Sequence, residues 1–370
     1  MFREGPPTQQ LRSTGNEAEI GAVFEEAFAK GTLTREELFV TSKLWNSEHA
    51  PADVRPALEQ TLRDLKLDYV DLYFLPRGSS SDESRRRRGR DVWTFREDES
   101  HAEAATCGRS AETSRTPKPR RVDVPRRRIA RRGRDVRTFR GDDVDIPRAS
   151  RRRYLIHWPQ AFEKVNATNV SIPKNADGTI KYDLKTTSRS TWAALEACVD
   201  AGLCRAIGLS NFNSEQVADV LGAGRIKPAM LQVEVHPYLS QVPLVAFCRE
   251  RGIAVTAYSP LGTGAVIDGS TVVGNPVLQE IGKAHGKSAA QVAIAWLAQR
   301  GLVVIPKSVT PARVVQNRDV SFDLTAEEMT AVAKLNKDCR NGFGGPLSAD
   351  GLPRDVKHPL YPFRPGGPAF

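Results

Sequence analysis

The chain has 370 residues, 40% of them apolar, and a formal net charge of +10 at pH 7. This length fits one large domain or two ordinary ones, and no apolar run approaches the ~18 residues of a membrane-spanning helix. We expect no secretory signal, because no apolar segment follows a basic one near the N-terminus. The five cysteines lack CxxC spacing, so we predict no disulfide framework, no metal site and a reduced, cytoplasmic protein.

The sequence before residue 76 predicts a strand, a helix and a second strand. ELFVTSKLW (37–45) is a short apolar run that ends in polar residues, which is typical of a buried strand. In 51–68, apolar residues recur at spacings of three and four, which predicts one face of a helix. YVDLYF (69–74) is again strand-like, but the chain then turns abruptly into charged sequence.

Residues 76–153 differ from the rest in composition and contain an internal repeat. They hold 24 of the 54 Lys and Arg residues but only 13 of the 44 Asp and Glu residues, so the remainder of the chain is nearly neutral. RRGRDVWTFR at Arg87 recurs as RRGRDVRTFR at Arg131, and VDVPR at Val122 recurs as VDIPR at Val144. With few apolar residues to offset the entropy of ordering, this insertion is expected to be disordered.

Three explanations of the insertion remain open. A solenoid repeat is disfavoured because the units lack periodic apolar positions. Arg clusters at 85–88, 126–128 and 151–153 could contact nucleic-acid phosphates, although interspersed acids and few aromatic residues argue against it. The interpretation we favour is non-coding sequence translated in frame, such as a retained intron.

After the insertion, strands and helices alternate to the end of the chain. The predicted strands are YLIHWPQAF, CRAIGLSNF, MLQVEVHPY, IAVTAYSPLG and LVVIPKS. The predicted helices are STWAALEACVDAG, SEQVADVLGAG, LVAFCRERG, NPVLQEIGKAHG, SAAQVAIAWLAQRG and LTAEEMTAVAKLNKD. Joining Tyr73 to Leu155 turns 69–73 and 155–162 into one continuous strand, so the insertion interrupts a single strand.

Alternation of this kind predicts parallel strands with right-handed crossovers. We predict an α/β fold, a (β/α)8 TIM barrel whose first two strands are not recognisable. Polar residues collect near the strand ends, where barrel active sites lie: Lys43, His157, Ser210, Asn211, Gln232, Tyr258, Ser259 and Lys307. A doubly wound dinucleotide-binding sheet is the alternative, but no GxGxxG follows a predicted first strand.

Six segments in order carry a family resemblance: TSKLW, the rejoined DLYLIHWP, GLSNF, QVEVHPY, AYSPLG and IPKSVTPARVVQN. Together they resemble the aldo-keto reductases, NADPH-dependent barrel enzymes, over about 15–75 and 154–363. The tail CRNGFGGP…HPLYPF is similar to fungal members that act on glycerol-type or sugar-derived carbonyls. The resemblance implies NADP-dependent reduction of aldehydes and ketones to alcohols. It also implies a small-molecule carbonyl or alcohol partner and a monomer, with no membrane or nucleic-acid partner.

The resemblance also implies site residues. Lys43 would lower the pKa of a catalytic tyrosine, and His157 would orient the carbonyl. Trp45 and Trp158 would line the substrate pocket beside His157. The implied cofactor-binding residues are Ser210, Asn211, Gln232, Tyr258, Ser259, Leu261, Lys307, Ser308, Val309, Thr310, Arg313 and Asn317. Lys, Ser, Thr and Arg within seven residues also suit a phosphate dianion, which independently favours NADP over NAD.

Each of these residues also has a purely structural interpretation. Lys43 could be a solvated strand-end lysine, His157 a core histidine and Tyr258 ordinary barrel packing. Lys307 and Arg313 could form a solvated basic surface. The family's catalytic Tyr and Asp would fall at Thr14 and Gln9, which cannot replace them, so we expect impaired activity.

The predicted organisation has five parts: an unrelated N-terminus (1–14), barrel parts at 15–75 and 154–340, the insertion (76–153) and a substrate-loop tail (341–370). A non-catalytic NADPH-binding protein and an Arg-rich nucleic-acid-binding protein are the alternative functions. A lost exon together with a retained intron would explain both departures from the family pattern.

Overall fold

The computed structural model describes residues 16–35, 40–70, 153–165, 172–340 and 355–363. The chain divides into two units, one of 1–78 with 144–370 and the other of 79–143, and every described residue belongs to the first. Thr14, Gln9 and almost all of the Arg-rich insertion lie outside the described residues. The predictions of a disordered insertion and of the five-part organisation therefore stay predictions.

Six strands form one parallel sheet. They are β1 (Ser42–Leu44), β2 (Arg153–Ile156), β5 (Ala206–Ser210), β6 (Met230–Glu234), β7 (Ala254–Tyr258) and β8 (Val303–Val304). They pair in the order β1-β2-β5-β6-β7-β8, every neighbour parallel. The predicted parallel α/β architecture is confirmed, and β1 and β8 are the two outer strands of this sheet. A separate antiparallel pair, β3 (Ala161–Phe162) with β4 (Tyr182–Asp183), was not predicted.

Nine helices are described alongside the sheet. They are α1 (Glu17–Ala29), α2 (Pro51–Leu65), α3 (Ser188–Asp200), α4 (Ser214–Ala223), α5 (Val242–Glu250), α6 (Pro276–His285), α7 (Ala289–Gln299), α8 (Pro311–Arg318) and α9 (Ala326–Ala333). Helices α3, α4, α7 and α9 each begin with a capping box, as their Thr, Asn and Ser starts favour. The sequence did not predict α1 and α8. No helix among the described residues is long and apolar enough to cross a membrane.

The interrupted strand resumes in register. Val70 pairs in parallel with Cys204, and Arg153 pairs with Ala206 two residues further along the same neighbouring strand. One pairing position, opposite Arg205, separates the two. Counting on from Val70, a chain that joins Tyr73 to Leu155 would place Tyr73 opposite Ile207, where Tyr154 now stands. This register is compatible with the prediction that the sequence between Tyr73 and Leu155 interrupts a single strand.

The two faces of the sheet have different environments because side chains alternate along a strand. Leu44, Ile156 and Leu209 point into the main core, where the helices cover the sheet. Leu155 and Met230 form a separate small cluster on the other face. A Cβ at Gly208 would lie 2.5 Å from a Leu155 methyl carbon and 2.7 Å from the Met230 carbonyl oxygen, so this face is tightly packed. It is also the face that carries the polar residues.

Candidate active site

Five predicted site residues lie on the inner face of the sheet, the face opposite the main core. Lys43 pairs with Leu155, and His157 lies two residues further along the chain from Leu155. Ser210 pairs with Gln232, and Tyr258 lies two residues beyond Thr256, the partner of Gln232. Because paired residues and residues two apart share a face, these side chains come together. Their spacing along the sequence does not show this proximity, because it depends on how the strands pair.

Asn211 connects several of these residues by hydrogen bonds. Its side-chain amide donates to the His157 carbonyl oxygen at 3.0 Å and to Ser210 Oγ at 3.2 Å. The Tyr258 hydroxyl donates to Asn211 Oδ1 at 2.7 Å, and the Asn211 backbone N–H donates to the Gln232 carbonyl oxygen at 3.0 Å. Asn211 has φ 59°, a left-handed conformation that Asn tolerates better than most residues. Hydrogen bonds of Asn211 therefore connect the predicted catalytic histidine with the predicted nicotinamide-binding residues.

The side chain of Gln232 has capacity left for a ligand. Gln232 is buried on the inner face, and its side-chain amide makes no hydrogen bond within the part of the chain that the structure describes. An amide offers both a donor and an acceptor, which matches a carboxamide. Burial, and then the charge of Glu234, raise the pKa of Tyr258 well above 10, so its hydroxyl remains a neutral donor.

His157 is a neutral imidazole. Its side chain is 4% exposed, and its backbone N–H donates to the Leu44 carbonyl oxygen at 3.2 Å. Burial lowers its pKa well below 6.5, and the nearby Lys43 and His49 lower that pKa further. A neutral histidine keeps one ring N–H, which can donate to a carbonyl oxygen.

Lys43 lies in the middle of β1 and is half-buried. Burial lowers the pKa of its ammonium group to about 8, and no carboxylate among the described residues offsets this shift. The family resemblance gives the matching lysine an aspartate partner, which in this chain would fall at Gln9, outside the described residues. Lys43 is therefore a poorly stabilised cation beside a neutral histidine.

Aromatic rings surround the outer end of the site. The Trp45 and His157 ring centres are 5.1 Å apart, and those of Trp158 and Phe363 are 6.0 Å apart. The Arg340 guanidinium carbon lies 3.6 Å from the centre of the Phe363 ring. The Trp158 ring centre lies 6.5 Å from that of His157, so both predicted substrate-lining tryptophans are near His157, and their role stays a prediction.

The C-terminal segment 355–363 is fixed against this end of the sheet. Asn213 Nδ2 donates to the Pro362 carbonyl oxygen at 3.0 Å, and Gln216 Nε2 donates to the Leu360 carbonyl oxygen at 2.9 Å. These two residues also form the capping box of α4, so one helix start holds the tail. Tyr182 of β4 contributes a further bond, because its hydroxyl donates to Asp355 Oδ1 at 2.6 Å.

The predicted phosphate-binding residues lie at a second location, after β8. An open groove of about 430 Å³ is lined by Pro306, Lys307, Ser308, Val314, Asn317 and Arg318. Thr310 is next to it, with its backbone N–H donating to Ser308 Oγ at 3.1 Å. Two cationic side chains and no acid line the groove, so its donors suit a phosphate. Val309 is 84% exposed, and Arg313 is on the exposed helix α8.

Two further predicted cofactor residues follow β7. Ser259 has φ 48°, and Leu261 is half-buried against the core immediately after it. Sequence reasoning missed Arg318, His49 and Arg340. Arg318 follows Asn317 directly and could have been found from the basic character of the segment. His49 and Arg340 carry no local sequence signal, because only the fold brings them to the site.

Comparisons with known proteins show which protein family this chain is similar to. The model of the Aldo/keto reductase family matches residues 12–83 and 134–337. Aldo-keto reductase family 1 member A1 of Gallus gallus is 40% identical over 356 residues, covering 94% of this chain and 83% of the relative. The protein of the same name in Homo sapiens is 39% identical over 357 residues, with the same coverage of both chains.

A solved structure agrees with the sequence comparisons. The aldose reductase of Schistosoma japonicum matches with a TM-score of 0.66 and 30% identity, covering 95% of this chain and 84% of that one. The chain belongs to the aldo/keto reductase family and is an oxidoreductase with that family's α/β barrel-type fold. The two vertebrate relatives do not confirm the fungal subtype expected from the tail.

Proposed function

We propose that this chain is built to reduce aldehydes and ketones of sugar or glycerol type to alcohols, with NADPH as the reductant. The observation that supports this best is the hydrogen-bonded set of His157, Asn211 and Tyr258 on the inner face, beside Lys43. Carbonyl reduction is the activity that family membership supports. The cofactor form and the substrate class are our proposals, as are a cytoplasmic location and a monomeric state.

Each group in the site has a defined task under this proposal. Ser210, Asn211 and Gln232 would hold the carboxamide of the nicotinamide, and the Tyr258 ring would stack on it. NADPH would supply the hydride. The neutral His157 would donate its N–H to the substrate carbonyl oxygen, which withdraws electrons from the carbon. Trp45, Trp158 and Phe363 would exclude water from that carbon.

The basic groove supports NADP rather than NAD. Lys307 and Arg318 line it together with Ser308 and Asn317, and Arg313 lies on the same helix. A 2′-phosphate is the part of NADPH that NADH lacks, and it requires cations and hydrogen-bond donors.

The residue at the family's proton-donor position, Thr14, does not suit that role. A threonine hydroxyl at position 14 is far too weakly acidic to replace a phenol, and Gln9 cannot form an ion pair with Lys43. We therefore propose impaired turnover, with NADPH binding retained. Thr14 also favours the second candidate function, a non-catalytic protein that binds NADPH.

A gain-of-function variant tests the proposal. NADPH oxidation with glyceraldehyde is followed by absorbance for the full chain, for Q9D/T14Y and for Q9D/T14Y/K43M. We expect slow turnover by the original chain, at least a hundredfold increase in Q9D/T14Y, and loss of that increase when Lys43 is also replaced. If Q9D/T14Y folds and binds NADPH but gains no activity, the proposed reductase site is wrong.

A further inference from the structure

Lys43 has features that suit a second role besides the one proposed for it in the reductase site. Its neighbours Ser42 and Leu44 are both buried toward the helices, which places the Lys43 side chain on the inner face. The residue is half-buried there, on the same face as His157. No described carboxylate contributes to its pKa, which burial lowers to about 8.

This environment makes the amine reactive. At pH 7 about a tenth of a lysine with this pKa is unprotonated, compared with less than a thousandth of an exposed lysine. Desolvated lysines with lowered pKa values are the ones that attack carbonyl carbons and form Schiff bases. An aspartate beside the ammonium would suppress this reactivity by stabilising the charged form.

The groups around Lys43 suit a carbonyl compound. Lys43 is near enough to His157 to lower the His157 pKa, and the neutral His157 ring can donate a hydrogen bond to the carbonyl oxygen. The Trp45 ring lies against the His157 ring, with centres 5.1 Å apart, and provides an apolar wall. An amine nucleophile, a donor for the oxygen and an aromatic ring therefore occur on the same side of the sheet.

We infer that Lys43 forms a reversible imine with aldehydes that bind beside His157. The Nζ lone pair adds to the carbonyl carbon, the C–N bond forms, and the oxygen takes up a proton. The nitrogen then gives up one proton, and the new hydroxyl takes up a second proton. The C–O bond breaks and water leaves as the C=N bond forms, and the nitrogen gives up its remaining proton. Aldehyde and amine give imine and water, so no oxidant or reductant takes part. The inference rests on the carbonyl site of the proposed function but is independent of NADPH.

Reductive trapping tests the inference. The full chain is incubated at pH 7 with glycolaldehyde and sodium cyanoborohydride, which converts an imine into a stable secondary amine. Peptide mass mapping then gives the rate of modification at each lysine. We expect Lys43 to be modified at least tenfold faster than the exposed Lys174 and Lys334. K43R should lose the fast phase, whereas K174R should retain it.

The outcomes separate this inference from the proposed function. An NADPH titration by fluorescence is run on the same samples. If NADPH binds but Lys43 reacts no faster than Lys174, the imine inference is overturned and the reductase proposal stands. If Lys43 is trapped selectively but NADPH does not bind, the imine stands and the cofactor proposal fails.

Discussion

The charge states of the buried residues decide what this site can do. Sequence reasoning selected Lys43 and His157 because they follow apolar runs within motifs that resemble a known family. It could not predict that the pKa values of both groups fall in the folded protein. That result depends on burial and on the proximity of His49, Lys43 and His157, which only the folded β1–β2 pair brings together.

The buried His49 gives a prediction about acid stability. It is 3% exposed, and burial lowers its pKa from 6.5 to about 4. Between these two pH values the unfolded chain binds a proton that the folded chain does not, so stability is lost as pH falls from 6.5 toward 4. The loss from this residue alone is roughly 3 kcal/mol. H49Q should show a smaller difference in urea-unfolding free energy between pH 7.5 and pH 4.5 than the unmodified chain.

The control for this prediction is H285Q. His285 is partly exposed, and its Nε2 lies 2.9 Å from Glu328 Oε1. Removing it should not reduce the acid-induced loss of stability. If H49Q and H285Q show the same pH dependence as the unmodified chain, the buried neutral histidine is not what destabilises the protein in acid.

At the scale of elements, the register of β2 predicts how the insertion can be removed. Deleting 74–154 joins Tyr73 to Leu155 and keeps Leu155 opposite Gly208. Since a long loop no longer has to be closed, unfolding free energy should rise by about 4 kcal/mol or less. Chemical denaturation of the shortened chain measures this change, and near-UV circular dichroism reports whether its packing is native.

A deletion that is one residue longer provides the matched control. Removing 74–155 joins Tyr73 to Ile156 and shifts the remainder of the strand by one position. His157 would then leave the inner face, because a one-residue shift turns every side chain to the other side of the sheet. We expect this variant to be much less stable. Equal stability of the two deletions would contradict the continuous-strand interpretation.

The basic groove after β8 predicts how replacing a single lysine changes nucleotide binding. Lys307 lines the basic groove, and its charge would bind the 2′-phosphate of NADPH. K307M should weaken NADPH binding roughly tenfold, the scale of one charged hydrogen bond, while NADH binding changes little. Fluorescence titration with both nucleotides measures the effect. K334M, which removes an exposed lysine from the end of α9, should change neither affinity, and a similar effect in both variants would exclude a specific phosphate contact.

For the whole molecule, the order of most strands and helices was predictable from the sequence. Some short or exposed elements and the side-chain contacts between strands were not. Alternating patterns indicated the parallel sheet and most of its helices. The β3–β4 pair was missed because two-residue strands carry no periodicity. Helix α8 was missed because none of its residues is buried, so it has no apolar face to recognise. The link from Asn211 to His157 was also unpredictable, since it depends on register rather than on sequence spacing.

Calorimetric titration of the full chain with NADPH and, separately, with NADH is the decisive test of the proposed NADP site. It requires neither Thr14 nor Gln9 to support catalysis, because it reports binding alone. We predict that NADPH binds with one-to-one stoichiometry and at least tenfold more tightly than NADH. Absence of NADPH binding by a folded chain, or equal affinity for the two nucleotides, would contradict the proposed site.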